Sequence, residues 1–307
     1  MAEPTILAFG QILWNLFPEG PRLGGAPATF ACHIALLGCE VALVSAVGKD
    51  TRGAAARAHL ECLGVRTSLI QHLNDFPTST VGVVLDAEGK PTFDVPSDVA
   101  WDHIGWSPAL EAYLPRLDCG DAVYFGTLAL RNECSRSTIL RAVRSAKDQG
   151  VLRLLDVNLR HPYFTDALLR EAIELSSVLK LSDDEFTPVM NACGIACGGT
   201  IEPETALREL LIRYQLEVVV LTLGPEGALI VTATQTVRQT GFKVKVCDTV
   251  GAGDAFSASL VLGLLRGDPL AHIAHVACEI SAAVCTVSGA IPSRTFFKAN
   301  MRSMSGR

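Results

Sequence analysis

The chain has 307 residues, of which 49% are hydrophobic and 19% charged, and a formal net charge of −6. That is ample apolar material for a large core, and without a basic block it excludes the electrostatic footprint of a nucleic-acid binder. No run of about 18 apolar residues predicts a membrane span, and the acidic start Met1-Ala2-Glu3-Pro4 does not read as a signal peptide. The ten cysteines lie mostly in apolar runs, and Cys193 and Cys197 lack the second pair or nearby His that a zinc site needs. They read as small structural hydrophobes in a reduced cytoplasm.

In chain order, Thr5 to Phe9 predicts a short apolar strand. Gln11 to Phe17 follows, and Pro18 to Pro21 turns it. Gly24-Gly25-Ala26-Pro27-Ala28-Thr29 leads into a helix with Phe30, Ile34 and Leu37 on one face, ended by Gly38. Val41 to Val47 predicts a buried strand, and Thr51 to Leu63 an Ala-rich helix stopped by Gly64. Residues 78 to 95 predict a hairpin, with Val81, Val83 and Leu85 alternating and Glu88-Gly89 at the turn. Val99 to Ile104 forces no chemistry.

From Asp121 the pattern becomes regular. Strands at 123–125, 151–157, 178–181 and 218–223 alternate with helices at 137–147, 166–175 and 202–214. Such alternation predicts a mostly parallel central sheet with helices on both faces. Ligands of such sheets sit beyond the strand C-terminal ends. Two polar sets fall there. Asp156-Val157-Asn158-Leu159-Arg160 suggests a structural Asp156–Arg160 pair, because a buried carboxylate needs a partner. Lys180-Leu181-Ser182-Asp183-Asp184-Glu185 suggests a capping box, with Ser182 before the helix and Glu185 three residues on. Thr222-Leu223-Gly224-Pro225-Glu226-Gly227 makes a tight turn before another strand.

Asp248-Thr249-Val250-Gly251-Ala252-Gly253-Asp254-Ala255-Phe256 is the stretch with the strongest chemistry. It is expected to follow a strand over Thr240 to Cys247, in which Phe242, Val244 and Val246 alternate with Gly241 and lysines. It opens a buried helix running to Arg266, and a second helix is expected over Ala271 to Val287. Strand, glycine turn and helix aim free N–H groups at one point, a cradle for negative charge. Asp254 lies in the first helical turn. An acid there can be only a dipole partner, or it can accept a proton from a hydroxyl while the amides hold the group being attacked.

The nine-residue string resembles the C-terminal signature of the ribokinase-like (PfkB-type) carbohydrate kinases, and other segments are similar to fructokinase-like members. The resemblance implies one kinase domain over 1–307 with a small β lid formed by about 11–23 and 75–97. It implies Asp254 as general base and Gly251, Ala252 and Gly253 as the anion hole. Gly24 and Gly25 would contact the sugar, as would Asn15 and Thr29, which stand where relatives carry Asp and Asn. Arg160 would line the acceptor site. Asn158, Lys180, Ser182, Glu185, Thr222, Gly224 and Gly227 would face ATP, with Glu185 also acting on Mg²⁺ through water. Asp248, Val250, Gly289 and Ser293 would surround a monovalent cation such as K⁺. The implied partners are a small sugar, fructose first, and ATP, with no nucleic acid or membrane, and a homodimer through the lid. Alternatives are a kinase for another ketose, a sugar acid or a nucleoside, and a sugar-binding regulator. A dinucleotide oxidoreductase would need G-x-G-x-x-G in the first strand–helix turn, and Gly24-Gly25-Ala26-Pro27 does not supply it.

Overall fold

The computed structural model describes residues 4–17, 19–85, 91–199 and 201–300. The first strand, β1 (Thr5–Phe9), is followed by β2 (Leu13–Phe17) and β3 (Gly20–Gly24), then by α1 (Ala26–Leu36), β4 (Glu40–Gly48), α2 (Thr51–Leu63) and β5 (Ile70–Leu73). Next come β6 (Ser79–Leu85), β7 (Pro91–Asp94), α3 (Pro108–Tyr113), β8 (Ala122–Gly126), α4 (Glu133–Asp148) and β9 (Leu152–Asp156). The chain continues through α5 (Asp166–Leu175), β10 (Val178–Ser182), α6 (Asp183–Ala192), α7 (Pro203–Tyr214), β11 (Val218–Thr222), β12 (Ala228–Thr232) and β13 (Thr236–Gln239). It ends with α8 (Ala252–Arg266), α9 (Leu270–Val284) and α10 (Arg294–Asn300).

Among the described residues the strands form two sheets. The central one has nine strands in the order β13-β12-β11-β10-β9-β8-β1-β4-β5. Seven run parallel, and β12 and β13 turn back antiparallel at one edge. The smaller sheet, β3-β2-β6-β7, is built from Leu13–Gly24 and Ser79–Asp94. It overlaps the two stretches, about 11–23 and 75–97, that the family resemblance implies for a lid, and runs past the first of them to Gly24.

Strand periodicity of two explains the layering. Leu7, Phe9, Val123, Phe125, Leu155 and Leu179 pack against α3 to α7, through residues such as Leu110, Ile139, Leu169 and Leu207. Ile6, Ala8, Tyr124, Leu154 and Val178 point to the other face, against Phe30 of α1, Leu60 of α2, Phe256 of α8 and Ile273 of α9. Phe30 and Tyr124 stack with ring centroids 3.9 Å apart. Among the described residues no disulfide forms, and Cys62, Cys119, Cys134 and Cys247 are exposed rather than in the core. Among the described residues no helix is long and apolar enough to cross a membrane.

One expected element is absent. Thr240 to Cys247 forms no strand. A Cβ on Gly241 would come within 2.1 Å of the Pro225 carbonyl oxygen, so the chain presses against that turn and leaves the sheet there. Beyond it Val244 and Val246 are exposed, at 38% and 59%. Alternation records which side chains share a face, but a strand also needs a neighbour to pair with. The helix expected at 137–147 starts earlier, because the Asn132 side chain accepts from the Cys134 N–H and caps it.

Asp50 joins the two parts of the molecule. Its Oδ1 accepts from the Gly53 N–H at 2.7 Å, capping α2, and its Oδ2 accepts from the Thr78 N–H at 2.8 Å, just before β6. Asp50→Ala is expected to lower unfolding stability by about 1–2 kcal/mol, the usual cost of a lost cap. A urea midpoint shifted at constant slope would verify this.

Candidate active site

A cavity of about 390 Å³ opens over the C-terminal ends of the parallel strands, under the small sheet. The order β8-β1-β4 makes β1 a switch point, where chain connections depart in opposite directions and leave a crevice. Leu13, Asn15, Gly24, Val81 and Val95 line the cavity from the small sheet and its exits; Gln11, Gly25, Thr29 and Leu128 line it from the core side. Asn15 folds over Gly24, where a Cβ would lie 2.3 Å from the Asn15 amide nitrogen. Asp156, Asn158, Arg160, Lys180, Ser182 and Glu185 close another side, with Thr249, Val250, Gly251, Gly253, Asp254 and Ala290.

Gly251 is the N-cap of α8, with φ 82° and no side chain capping it. A Cβ there would come 2.5 Å from the Ala290 carbonyl oxygen, so both conformation and space demand glycine. The Ala252 N–H turns back to the Thr249 carbonyl at 3.3 Å, and Ala252 does not line the cavity. Gly251 and Gly253 therefore carry the backbone surface of the expected anion hole, and Ala252 only shapes it. Two contacts brace this turn from behind. Asp248 accepts from the N–H groups of Val250 at 3.0 Å and Gly289 at 2.9 Å. His33, fully buried on α1, hydrogen-bonds the Ala290 carbonyl through Nε2 at 3.0 Å. Burial lowers the His33 pKa to about 4, against the opposing pull of the Ala290 carbonyl, so the ring is neutral near pH 7 and Nε2 carries the donated proton.

The suggested Asp156–Arg160 pair does not form. Asp156 is held by Lys180, whose ammonium donates to both carboxylate oxygens at 2.9 Å. Arg160 instead donates to the Leu159 carbonyl and faces the cavity. The reason is direction: Asp156 and Lys180 lie side by side on adjacent parallel strands, whereas Arg160 follows Asn158, whose φ of 42° swings the chain away. Ser257 of α8 completes the cluster, with its hydroxyl 2.8 Å from Asp156 Oδ2. Lys180 Nζ lies 3.3 Å from where a Gly253 Cβ would sit, directly beneath the glycine turn. Burial alone would lower the Lys180 pKa, and Asp156 more than reverses this, so the ammonium is retained. Sequence reasoning placed Lys180 at the site but missed its partner. The available signal was a lysine inside the apolar run Val178-Leu179-Lys180-Leu181, since a charge there requires a counter-charge.

Asp254 borders the cavity beside Gly253. Burial, then the Asp156 carboxylate, pushes its pKa up to about 7, while Lys180 and Arg160 pull it down. It is thus a carboxylate poised to take and release a proton near neutrality. Glu185 does form the expected box with Ser182, accepting its N–H at 2.8 Å; its other oxygen accepts from the Leu159 N–H at 2.6 Å and fixes the Asn158 turn. Thr222 pairs with Ser182 across β10 and β11, but Thr222, Gly224 and Gly227 lie outside the cavity wall. Gly227 has a backbone reason of its own, because its Cβ would meet the Gln239 carbonyl at 2.0 Å. Ser293 accepts from the Phe296 N–H at 3.2 Å. Of the apolar wall of Leu13, Val81, Val95 and Leu128, the first three lie in the stretches implied for the lid, whereas Leu128, from a separate segment, had no signal in the sequence.

A cradle of backbone amides beside a proton-accepting carboxylate suits transfer of an anionic group to a hydroxyl, the work of a kinase. The family model for pfkB carbohydrate kinases matches residues 21–295. A fructokinase of Salmonella typhimurium is 31% identical over 269 residues, covering 84% of each chain. The crystal structure of fructokinase from Vibrio cholerae O395, bound to fructose, ADP and calcium, superposes with a TM-score of 0.81 at 27% identity, over 97% of this chain and 98% of that one. Aminoimidazole riboside kinase from Salmonella enterica shares the fold, with a TM-score of 0.81 at 23% identity over 98% and 99% of the two chains. This chain belongs to the pfkB family of carbohydrate kinases, and within it is fructokinase-like.

The buried pair yields a stability prediction. Lys180→Met leaves Asp156 uncompensated and should cost about 3–5 kcal/mol. Adding Asp156→Leu should restore much of that loss, as measured by a double-mutant cycle in urea. Equal, additive losses would mean the two groups are not coupled.

Proposed function

We propose that this carbohydrate kinase transfers the γ-phosphoryl group of Mg·ATP to a primary hydroxyl of a sugar, with fructose the leading acceptor. The observation that carries this reading is Asp254 on the cavity wall, beside the Gly251 and Gly253 backbone. The acceptor would enter under the small sheet, against Asn15, Gly24, Gly25 and Thr29. Asp254 would accept the hydroxyl proton as the oxygen attacks phosphorus. The glycine turn would receive the charge on the transferring group, and Lys180 beneath Gly253 would add positive potential without leaving Asp156. Arg160 would screen the phosphates across the cavity. The nucleotide would lie along Asn158, Ser182 and the β11 turn at Thr222, Gly224 and Gly227.

The donors present fit a hydrated divalent cation. Each Glu185 oxygen accepts one N–H and retains acceptor capacity toward the cavity, which suits an ion that keeps its own waters. Mg²⁺ would neutralise phosphate charge there. The Asp248–Gly289 tie, with Val250 and Ser293 nearby in sequence, is the region proposed for K⁺. A cytoplasmic enzyme that pairs through the small sheet completes the reading.

ATP consumption across a panel of sugars and nucleosides is the primary test. With the best acceptor, kcat/KM should rise with pH as Asp254 loses its proton and level off above about 7. Asp254→Asn should lower turnover by about 10²–10⁴-fold and abolish that limb, with ATP affinity little changed. A variant with near-normal turnover would remove Asp254 from the role of base.

A second reading, a different ketose or a nucleoside as acceptor, is favoured by the neutrality of Asn15 and Thr29. Charge-assisted hydrogen bonds are about twice as strong as neutral ones. If fructose is the acceptor, Asn15→Asp should tighten its binding by about 1 kcal/mol, measured as fructose affinity at saturating Mg·ATP. Loss of activity on every acceptor in that variant would make the amide a specificity element and exclude fructose.

A further inference from the structure

The stretch Val99 to Ile104 has no part in the chemistry above, yet it carries a buried ion pair. Asp102 is 1% exposed, and Arg131 donates to its two oxygens through Nε and Nη2 at 2.7 Å each. The guanidinium is stacked between the rings of Trp101, at 4.1 Å, and Tyr163, at 4.6 Å. Asp102 also accepts from the Val99 N–H at 3.2 Å and the Trp101 carbonyl from the Ser135 hydroxyl at 2.8 Å, while two further bonds of the cluster go to one place at the end of β7. Arg131 Nη2 donates to the Pro96 carbonyl at 2.5 Å, and the Tyr163 hydroxyl donates to the Val95 carbonyl at 3.0 Å.

Val95 and Pro96 directly follow β7, where the small sheet rejoins the core. Val95 lines the cavity, as does Leu128, which packs with Val99 and Trp101. A buried ion pair is a weak source of stability compared with an apolar cluster of the same size. What the guanidinium adds is a rigid planar fork with fixed donor directions. Here the fork is locked by Asp102 and two rings, with one arm presented to the hinge. Tyr163 also lies three residues after Arg160, so one loop supplies both a cavity wall and a hinge anchor.

We infer that Trp101, Asp102, Arg131 and Tyr163 form a clamp that fixes the Val95–Pro96 hinge of the small sheet and thereby sets acceptor affinity. Arg131 and Tyr163 are positioning residues in this scheme, and its functional half rests on the kinase reading. Holding Val95 in place keeps the apolar wall at a constant distance from Asn15 and Thr29. Release of the hinge widens the acceptor half and leaves Asp254 and the glycine turn untouched.

Tyr163→Phe keeps the ring over Arg131 and removes only the hydroxyl. Hydrogen–deuterium exchange, measured without ligands, should be about threefold or more faster in peptides covering residues 91–99, and unchanged in β8. Acceptor KM should rise by about three- to tenfold, the effect of one hydrogen bond, with kcat, ATP KM and the pH profile unchanged. Arg131→Lys keeps the charge, loses the fork and should act in the same direction, more strongly. Unchanged exchange at 91–99 in both variants overturns the clamp. Faster exchange with unaltered acceptor KM, or a fall in kcat alone, overturns its link to acceptor affinity. Wild-type protein that consumes ATP with no acceptor on the panel defeats the kinase reading instead, and the exchange result still decides the clamp.

Discussion

Everything at the site depends on a lysine ammonium that has nowhere to go. Lys180 is almost completely buried in a central strand, and its ion-pair partner is Asp156 on the neighbouring strand, with the Glu185 and Asp254 carboxylates adding to the stabilisation of its charge. The desolvation of two charges is tolerable only where geometry is good and the remaining acceptor capacity is filled. Ser257 fills it from α8, so a single cluster joins β9, β10 and the helix that begins with the glycine turn. The same cluster sets the electrostatics of Asp254. Burial makes Asp254 hold its proton more tightly, the neighbouring Asp156 carboxylate adds to this, and Lys180 and Arg160 limit the effect.

The parts of this arrangement that were legible in the sequence are the local ones. Gly251 and Gly253 stand two apart ahead of an apolar run, and a helix does start there, with Gly251 as its N-cap. Ser182 and Glu185 stand three apart, and the box they form is present. The helix over Thr51 to Leu63 is bounded by a capping side chain before it and Gly64 in the left-handed conformation after it, both visible as residue types. What could not be read depends on pairing across the chain. The choice of Lys180 over Arg160 as the partner of Asp156 follows from strand adjacency. The absence of a strand at Thr240 to Cys247 follows from Gly241 being pressed against Pro225. Leu128 joins the apolar wall of residues 13, 81 and 95 only in the fold.

The half of the cavity under the small sheet and the half around Asp254 are therefore built on different physical terms. Around Asp254 the Asp156–Lys180 pair is buried, and the turn is fixed by Gly251, where any Cβ would collide with the Ala290 backbone. Around Asn15 the groups are neutral amides and hydroxyls facing aliphatic side chains, and two of the walls belong to the small sheet. Discrimination among acceptors in such a pocket comes from shape and from hydrogen bonds of modest individual strength, whereas the transfer step draws on fields that do not depend on which acceptor is present.

Helix α1 connects these halves as a measuring rod. Its N-cap, Gly25, lines the cavity, and eight residues on it presents His33 to the Ala290 carbonyl behind Gly251. At 1.5 Å per residue that is about 12 Å of rigid helix, so the gap between the two subsites is counted in residues along one element rather than left to loops. One inserted residue would rotate His33 by about 100° away from its carbonyl and lengthen the gap together.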